Sequence, residues 1–165
     1  MNVLQQAIGL AARAHDGQLR KDGLPYIVHP MHVVSILIEC DLLDQEILAA
    51  AALHDVFEDC DQVFVAELHA GFPARVVALV EELTHGEGSK LDAFRNMSPD
   101  AQTIKMADRL SNLTSMFRTS WSDEKRRHYA ADGLEMSRHG SAACSIVSDR
   151  LNHFASSCLA RLAPT

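Results

Sequence analysis

A short run of imidazole and carboxylate side chains at residues 54–59 is the part of the chain best suited to chemistry. It reads His-Asp-Val-Phe-Glu-Asp and follows the Ile/Leu/Ala segment 47–53, which contains no Gly, Pro or capping residue to stop a helix. If the helix continues, His54 and Glu58 share one face, as do Asp55 and Asp59. Burying four ionisable groups beside an apolar helix is costly unless a divalent cation compensates their charge. The run therefore predicts a metal site, with a solvated helix end as the alternative.

Two more polar residues accompany apolar helical patterns elsewhere in the chain. Residues 20–30 form a polar turn built on Asp-Gly and Pro, and this turn places His29 just ahead of a helix predicted to begin at Pro30. Asp108 lies beside the apolar stripe of a second predicted helix, with Asn112 one turn later on the same side. An Asp in this position needs a partner, whereas a lone His before a helix is more often structural than a ligand.

Three motifs, taken in chain order, resemble those of the HD-domain metal-dependent phosphohydrolases. They are Arg-Lys-Asp-Gly-x-Pro-Tyr-Ile-x-His-Pro at 20–30, His-Asp-x-x-Glu-Asp at 54–59 and Ile-Lys-Met-Ala-Asp-Arg-Leu-x-Asn-Leu at 104–113. Together they are similar to the hydrolase domain of RelA/SpoT-type alarmone enzymes, over residues 1–130. The chain thus resembles a stand-alone small alarmone hydrolase without a synthetase half.

The resemblance implies a role for each polar residue of these motifs. A set of two imidazoles and two carboxylates leaves coordination positions for water and substrate oxygens, which favours hydrolysis. The roles implied are metal ligands at His29, His54, Asp55 and Asp108, with Mn(II) as the ion; catalytic acids at Glu58 and Asp59; and substrate contacts at Arg20, Lys21, Asn112 and Tyr129.

The substrate contacts each have a structural alternative. Arg20 and Lys21 could form a solvated turn, although Arg offers a planar fork for phosphate and Lys a point charge. Asn112 could cap or bridge within the core, and Tyr129 could only pack. The chain also departs from the family pattern, because His85 and Gly86 replace an acidic pair and a short glycine-rich loop is predicted up to Met97.

Length and composition predict an all-α, single-domain helical HD-domain fold over residues 1–165. Hydrophobic residues make up 47% of the chain and aromatics 5%, which favours helices packed on helices. A net charge of -7 argues against a nucleic-acid partner, and the absence of long apolar runs argues against a membrane span, so a cytoplasmic protein is expected. The cysteines are too widely spaced for a zinc ribbon, and Cys60 is expected to be structural.

The periodicity predicts a string of helices and no strand. Their predicted ranges are 3–15, 30–40, 44 through the His-Asp run, 63–70, 74–84, one opened by Ser98 and Pro99 that carries Asp108, 123–138 and 141–162.

The motifs together predict an enzyme that removes pyrophosphate from the 3′ position of guanosine tetra- or pentaphosphate, a small nucleotide substrate. One alternative is an HD phosphohydrolase acting on another nucleotide or on the 2′-phosphate of a nicotinamide dinucleotide. Another is a non-catalytic module that senses a nucleotide. The presence of all four ligands and both acids argues against a dead site. The oligomeric state is left open.

Overall fold

Two compact helical units make up the structure, a computed structural model that describes residues 2–84 and 90–163. The first unit spans Met1–Gly86 and the second spans Glu87–Thr165. Within the described ranges no strand forms, and an isolated antiparallel bridge joins Leu19 to Pro25. The predicted all-α fold is confirmed, while the single domain over residues 1–165 stays a prediction. In those ranges, no helix has both the length and the hydropathy that a membrane-spanning helix requires.

The first unit is built around a helix that is buried on every side. This central helix, α3 (Gln45–Leu53), carries the Ile/Leu/Ala segment 47–53, all of which is buried, and it packs against three other helices. Asp44 caps its start, because the carboxylate accepts from the backbone N–H of Glu46 at 2.9 Å and of Ile47 at 3.2 Å. The helices of this unit are α1 (Val3–Ala14), α2 (Val28–Glu39), α3 (Gln45–Leu53), α4 (Val56–Asp59), α5 (Gln62–Gly71) and α6 (Ala74–Thr84).

The second unit packs three long helices against one another, namely α8 (Pro99–Ser115), α9 (Asp123–Gly140) and α10 (Ser145–Arg161). Ser98 caps α8, since its hydroxyl accepts from the backbone N–H of Ala101 at 3.3 Å, and the predicted start of this helix is confirmed. Gly140 permits a close approach of helices, because a Cβ there would lie 2.5 Å from the sulfur of Met106. The elements of this unit are α7 (Lys90–Asn96), α8 (Pro99–Ser115), a 3₁₀ turn (Met116–Arg118), α9 (Asp123–Gly140) and α10 (Ser145–Arg161).

The predicted continuation of α3 through the His-Asp run is wrong. The helix ends at Leu53, and α4 is a separate single turn that begins at Val56. The His54 imidazole lies 2.8 Å from the carbonyl oxygen of Ala51, an acceptor that a continuing helix would use for the N–H of Asp55. The side chain therefore competes with the helical ladder, and Asp55 takes a φ of -98° and a ψ of -2°.

Three other boundaries differ from the prediction. The α2 helix begins at Val28, so His29 lies inside the first turn, where Pro30 is tolerated because its missing N–H is not needed. The predicted loop up to Met97 contains α7, which buries Phe94, while residues 85–89 lie outside the described ranges. The last helix begins at Ser145, because a turn precedes it in which the backbone N–H groups of Ala143 and Cys144 donate to the carbonyl oxygen of Gly140.

Candidate functional site

Three of the predicted ligands meet in the first unit. His29, His54 and Asp55 each offer one ligand atom, and these atoms lie within 4.8 Å of one another. The Asp55 Oδ2 atom is 3.1 Å from His54 Nε2 and 3.6 Å from His29 Nε2. Both imidazoles are buried and the carboxylate is half-buried, so the structure brings these three residues together at one point.

The donor set of this cluster suits a divalent cation. His54 Nδ1 must donate its proton to the Ala51 carbonyl oxygen, which only accepts, and Nε2 of a neutral imidazole then presents a lone pair toward Asp55. Lone pairs of nitrogen and carboxylate oxygen at such distances repel unless a positive charge lies among them. A mixed nitrogen and oxygen set of this kind fits zinc, manganese or iron.

A tyrosine hydroxyl adjoins this cluster. The Tyr26 hydroxyl lies 2.8 Å from Asp55 Oδ2 and 2.9 Å from Asp59 Oδ2. Burial, together with the charges and hydrogen bonds of these carboxylates, raises the pKa of Tyr26 far above its ordinary value, so the hydroxyl keeps its proton. Tyr26 belongs to the motif at residues 20–30, but the sequence predicted no role for it. No local spacing could reveal one, because its partners lie 29 and 33 residues away.

Three further residues that were given no catalytic role surround the end of α4. His15 Nδ1 lies 2.8 Å from the side-chain oxygen of Gln18, whose amide donates to the carbonyl oxygen of Asp59 at 2.9 Å. The Cys60 thiol lies 3.5 Å from the same His15 nitrogen. Burial and the charges of Asp59 and Asp55 raise the pKa of Cys60 to about 11, so the thiol is protonated at neutral pH. This agrees with the structural role expected for it.

Both predicted catalytic acids lie on the single turn α4. Glu58 and Asp59 are exposed, in contrast to the buried imidazoles of the cluster. The backbone N–H of Asp59 donates to the carbonyl oxygen of Asp55 at 2.9 Å, which closes the turn. A surface position allows a carboxylate to meet solvent water, and the catalytic role of both residues stays a prediction.

The polar turn before α2 holds Arg20 in place. Gly23 has a φ of +85°, a conformation that favours glycine, and the Arg20 N–H donates to the carbonyl oxygen of Leu24 at 2.8 Å. Arg20 Nε lies 3.6 Å from Asp22, and the Arg20 side chain is only 12% exposed. Lys21 is exposed. The predicted alternative of a solvated turn therefore describes Lys21 better than Arg20.

The remaining predicted residues lie together in the second unit. The Asn112 amide donates to Asp108 Oδ1 at 2.7 Å, as their spacing on one face of α8 predicts. Lys105 Nζ lies 3.2 Å from Asp108 Oδ2, a contact that sequence reasoning did not find although three residues separate the pair. Asp108 is also close enough to Tyr129 for its charge to raise the pKa of that hydroxyl. Because Asp108 belongs to the other unit, its role as a fourth metal ligand stays a prediction.

Tyr129 packs between two large side chains. The guanidinium of Arg109 lies 3.8 Å from the centre of its ring, and the Trp121 ring meets it edge-on at 5.0 Å. Burial is the largest cause of a raised pKa of about 12 for Tyr129. The packing alternative thus describes the ring of Tyr129.

Comparisons with known proteins agree with the resemblance. A family model described as HD domain matches residues 7–136. The human protein named guanosine-3′,5′-bis(diphosphate) 3′-pyrophosphohydrolase MESH1 is 40% identical over 141 residues, which cover 76% of this chain and 78% of that protein. A Vibrio cholerae protein named guanosine-3′,5′-bis(diphosphate) 3′-pyrophosphohydrolase is 37% identical over 150 residues, 82% of this chain and 21% of its own length.

A solved structure has a similar fold. It belongs to a metazoan ortholog of SpoT that hydrolyzes ppGpp, and it matches with a TM-score of 0.84 at 28% identity. The match covers 95% of this chain and 96% of the other. The predicted resemblance to the alarmone hydrolases, and with it the predicted helical fold, is confirmed.

Proposed function

The chain belongs to the HD-domain family, and from this membership we propose that it hydrolyses guanosine 3′,5′-bis(diphosphate) to guanosine diphosphate and pyrophosphate. The observation that carries the proposal is the meeting of His29, His54 and Asp55 beside a turn with two exposed acids. The family implies a divalent metal, and we take Mn(II) as the working ion. His29, His54, Asp55 and, from the second unit, Asp108 would hold it.

When bound, the cation supplies positive charge that polarises a phosphoryl oxygen and makes a nearby water more acidic. In the proposed reaction the oxygen of water bonds to phosphorus while the bond from phosphorus to the 3′ oxygen breaks. Asp59, with Glu58 beside it, accepts the proton of the attacking water, and the 3′ oxygen gains a proton as it leaves. The exposure of both carboxylates supports this role, because each can reach a water molecule.

The other end of the substrate is proposed to lie against cationic and amide side chains. Arg20 sits on the turn that leads to His29, and its planar guanidinium suits a phosphate group or the face of a base. Lys21 adds a point charge beside it. Asn112 and Tyr129 are proposed to contact the nucleotide from the second unit, where Asp108 holds the amide of Asn112.

A substrate panel tests this proposal. Purified protein with added Mn(II) is incubated with guanosine tetraphosphate, guanosine triphosphate and a nicotinamide dinucleotide 2′-phosphate, and the products are separated by anion exchange. The tetraphosphate is expected to give guanosine diphosphate and pyrophosphate, and to outcompete the other compounds. Release of orthophosphate from the dinucleotide, without cleavage of the tetraphosphate, would identify a different HD phosphohydrolase. Binding of the tetraphosphate without turnover would identify a sensing module.

Replacing Arg20 is expected to weaken substrate binding without removing metal. A charge-assisted hydrogen bond contributes about 1.5–3 kcal/mol, so Arg20→Ala is expected to lower kcat/KM by about tenfold to a hundredfold, mainly through KM. The backbone hydrogen bonds of the turn do not depend on this side chain. Steady-state kinetics and elemental analysis of the same preparation give both quantities.

Arg13 provides a matched control for this substitution. It is an exposed arginine on α1 of the same unit, and its guanidinium lies 2.5 Å from the carboxylate of Glu67 on α5. Arg13→Ala is expected to leave kcat/KM unchanged, because a surface ion pair contributes little to the fold. Equal kcat/KM in Arg20→Ala and the parent protein would remove Arg20 from the substrate site.

A further inference from the structure

One hydroxyl group connects a proposed metal ligand with a proposed catalytic acid. The Tyr26 oxygen is within hydrogen-bond distance of Asp55 Oδ2 and Asp59 Oδ2, at 2.8 Å and 2.9 Å. Asp55 directly precedes the single turn α4 and Asp59 is its last residue, and the two carboxylates repel each other unless a donor lies between them. A phenol has one proton, so the hydroxyl donates to either carboxylate in turn while it holds both near a single point.

The ring that carries this hydroxyl is itself fixed. It stacks on His15 with ring centres 4.7 Å apart and an angle of 24°, and it meets the edge of His29 at 6.0 Å. The Tyr26 N–H donates to the carbonyl oxygen of Gln18 at 2.9 Å. Gln18 in turn donates its amide to the carbonyl oxygen of Asp59. The segment from His15 to Tyr26 therefore holds both the backbone and the side chain of Asp59.

We propose that Tyr26 is a positioning residue that orients Asp59 for proton transfer and Asp55 for metal binding through its hydroxyl group. This inference deepens the proposed function and rests on it for the role of Asp59. While the hydroxyl donates to Oδ2 of Asp59, the other oxygen of that carboxylate, Oδ1, accepts the proton of water in the proposed reaction. Such orientation matters because small misplacements of a catalytic group cause large losses of rate.

Tyr26→Phe tests the proposal, because it removes the hydroxyl and keeps the ring that stacks on His15. The variant is expected to lose about tenfold to a hundredfold in kcat, with KM within about threefold of the parent value. Its affinity for Mn(II), measured without substrate by competition with a chromophoric chelator, is expected to fall by about tenfold, since outer partners orient metal ligands.

A double variant separates positioning from a general structural effect. If Tyr26 acts on turnover through Asp59, then adding Tyr26→Phe to Asp59→Asn at saturating Mn(II) is expected to lower kcat by no more than about twofold further. Independent effects would multiply instead, and a full tenfold further loss would overturn the proposed route through Asp59.

One control and a second test variant complete the experiment. Ser35→Ala removes an exposed hydroxyl from α2 that donates to Glu39, and it is expected to leave kcat and Mn(II) affinity unchanged. Tyr26→His, the second test variant, keeps an aromatic ring on His15, but its ring nitrogens do not extend as far as the tyrosine oxygen and cannot hold both carboxylates. Its kcat and Mn(II) affinity are again expected to fall. Parent values of kcat and Mn(II) affinity in a folded Phe or His variant would overturn the inference.

The failure of this inference is distinguishable from the failure of the proposed function. If the parent protein does not cleave guanosine tetraphosphate, the proposed function fails, whereas the Mn(II) affinity of Tyr26→Phe still decides whether the hydroxyl orients Asp55. Unchanged affinity would then overturn the inference in its own right.

Discussion

Asp59→Asn is expected to retain its metal and to lose roughly two or more orders of magnitude in kcat, and Glu58→Gln is expected to do the same. Neither side chain belongs to the cluster of ligand atoms formed by His29, His54 and Asp55. Both changes remove a proton acceptor while they preserve the shape of the side chain. Steady-state kinetics with guanosine tetraphosphate at saturating Mn(II), together with elemental analysis, measure the two properties on one preparation.

Asp61 is a matched control for these amide substitutions. It is an exposed aspartate two residues beyond Asp59, and its side chain makes no capping hydrogen bond at the start of α5. Asp61→Asn therefore removes a similar negative charge near the site, and it is expected to leave kcat unchanged. Near-normal kcat in both Glu58→Gln and Asp59→Asn would assign proton transfer to a different group. A comparable loss in Asp61→Asn would point to a general effect of charge.

The helices could be predicted because their signals are local. Ser98 and Pro99 mark the start of α8, and the structure confirms both the cap and the first-turn proline. The apolar segment 47–53 predicts a buried helix, which α3 confirms. The spacing of Asp108 and Asn112 predicts that they meet, and they are joined at 2.7 Å. In each case the signal lies within one short segment of the chain.

The break after Leu53 could not be predicted from helix propensity. It depends on the hydrogen bond from the His54 imidazole to the carbonyl oxygen of Ala51. A propensity scale does not include such competition between a side chain and the backbone for one acceptor. The helix α7 was missed because the glycine-rich residues before it suggested a continuous loop, whereas burial of Phe94 favours an ordered turn of helix. A local side-chain bond to the backbone overrode helix propensity after Leu53, and tertiary burial of Phe94 overrode the loop signal before α7.

The candidate site shows the same division between local and distant information. The motifs predicted that His29 and the His54-Asp55 pair converge, and their ligand atoms do lie within 4.8 Å. The contacts of Tyr26 and Gln18 with Asp59 span 33 and 41 residues, and no spacing along the chain encodes them. The roles assigned to these residues rest on chemistry and resemblance, so they require the variants described above.

Removing one ligand from each unit is expected to abolish metal binding. The parent protein is expected to hold about one transition-metal ion per chain. The double variant His54→Ala with Asp108→Ala is expected to hold close to none, because each substitution removes a proposed ligand. Elemental analysis after removal of loosely bound metal gives the stoichiometry. Added Mn(II) is also expected to raise the Tm of the parent protein but not that of the double variant, since a ligand stabilises the state that binds it.

A double variant of matched composition controls for the loss of one imidazole and one carboxylate. His69 is an exposed histidine stacked on Phe57 in the first unit, and Asp149 is an exposed aspartate on α10 of the second. His69→Ala with Asp149→Ala is expected to bind metal as the parent does. The two single variants then assign the contribution of each unit, because loss of metal in Asp108→Ala alone would establish a ligand from the second unit. If the His54 and Asp108 double variant binds metal as well as the parent does, the cation is held elsewhere, and the cluster of His29, His54 and Asp55 is a polar feature of the core.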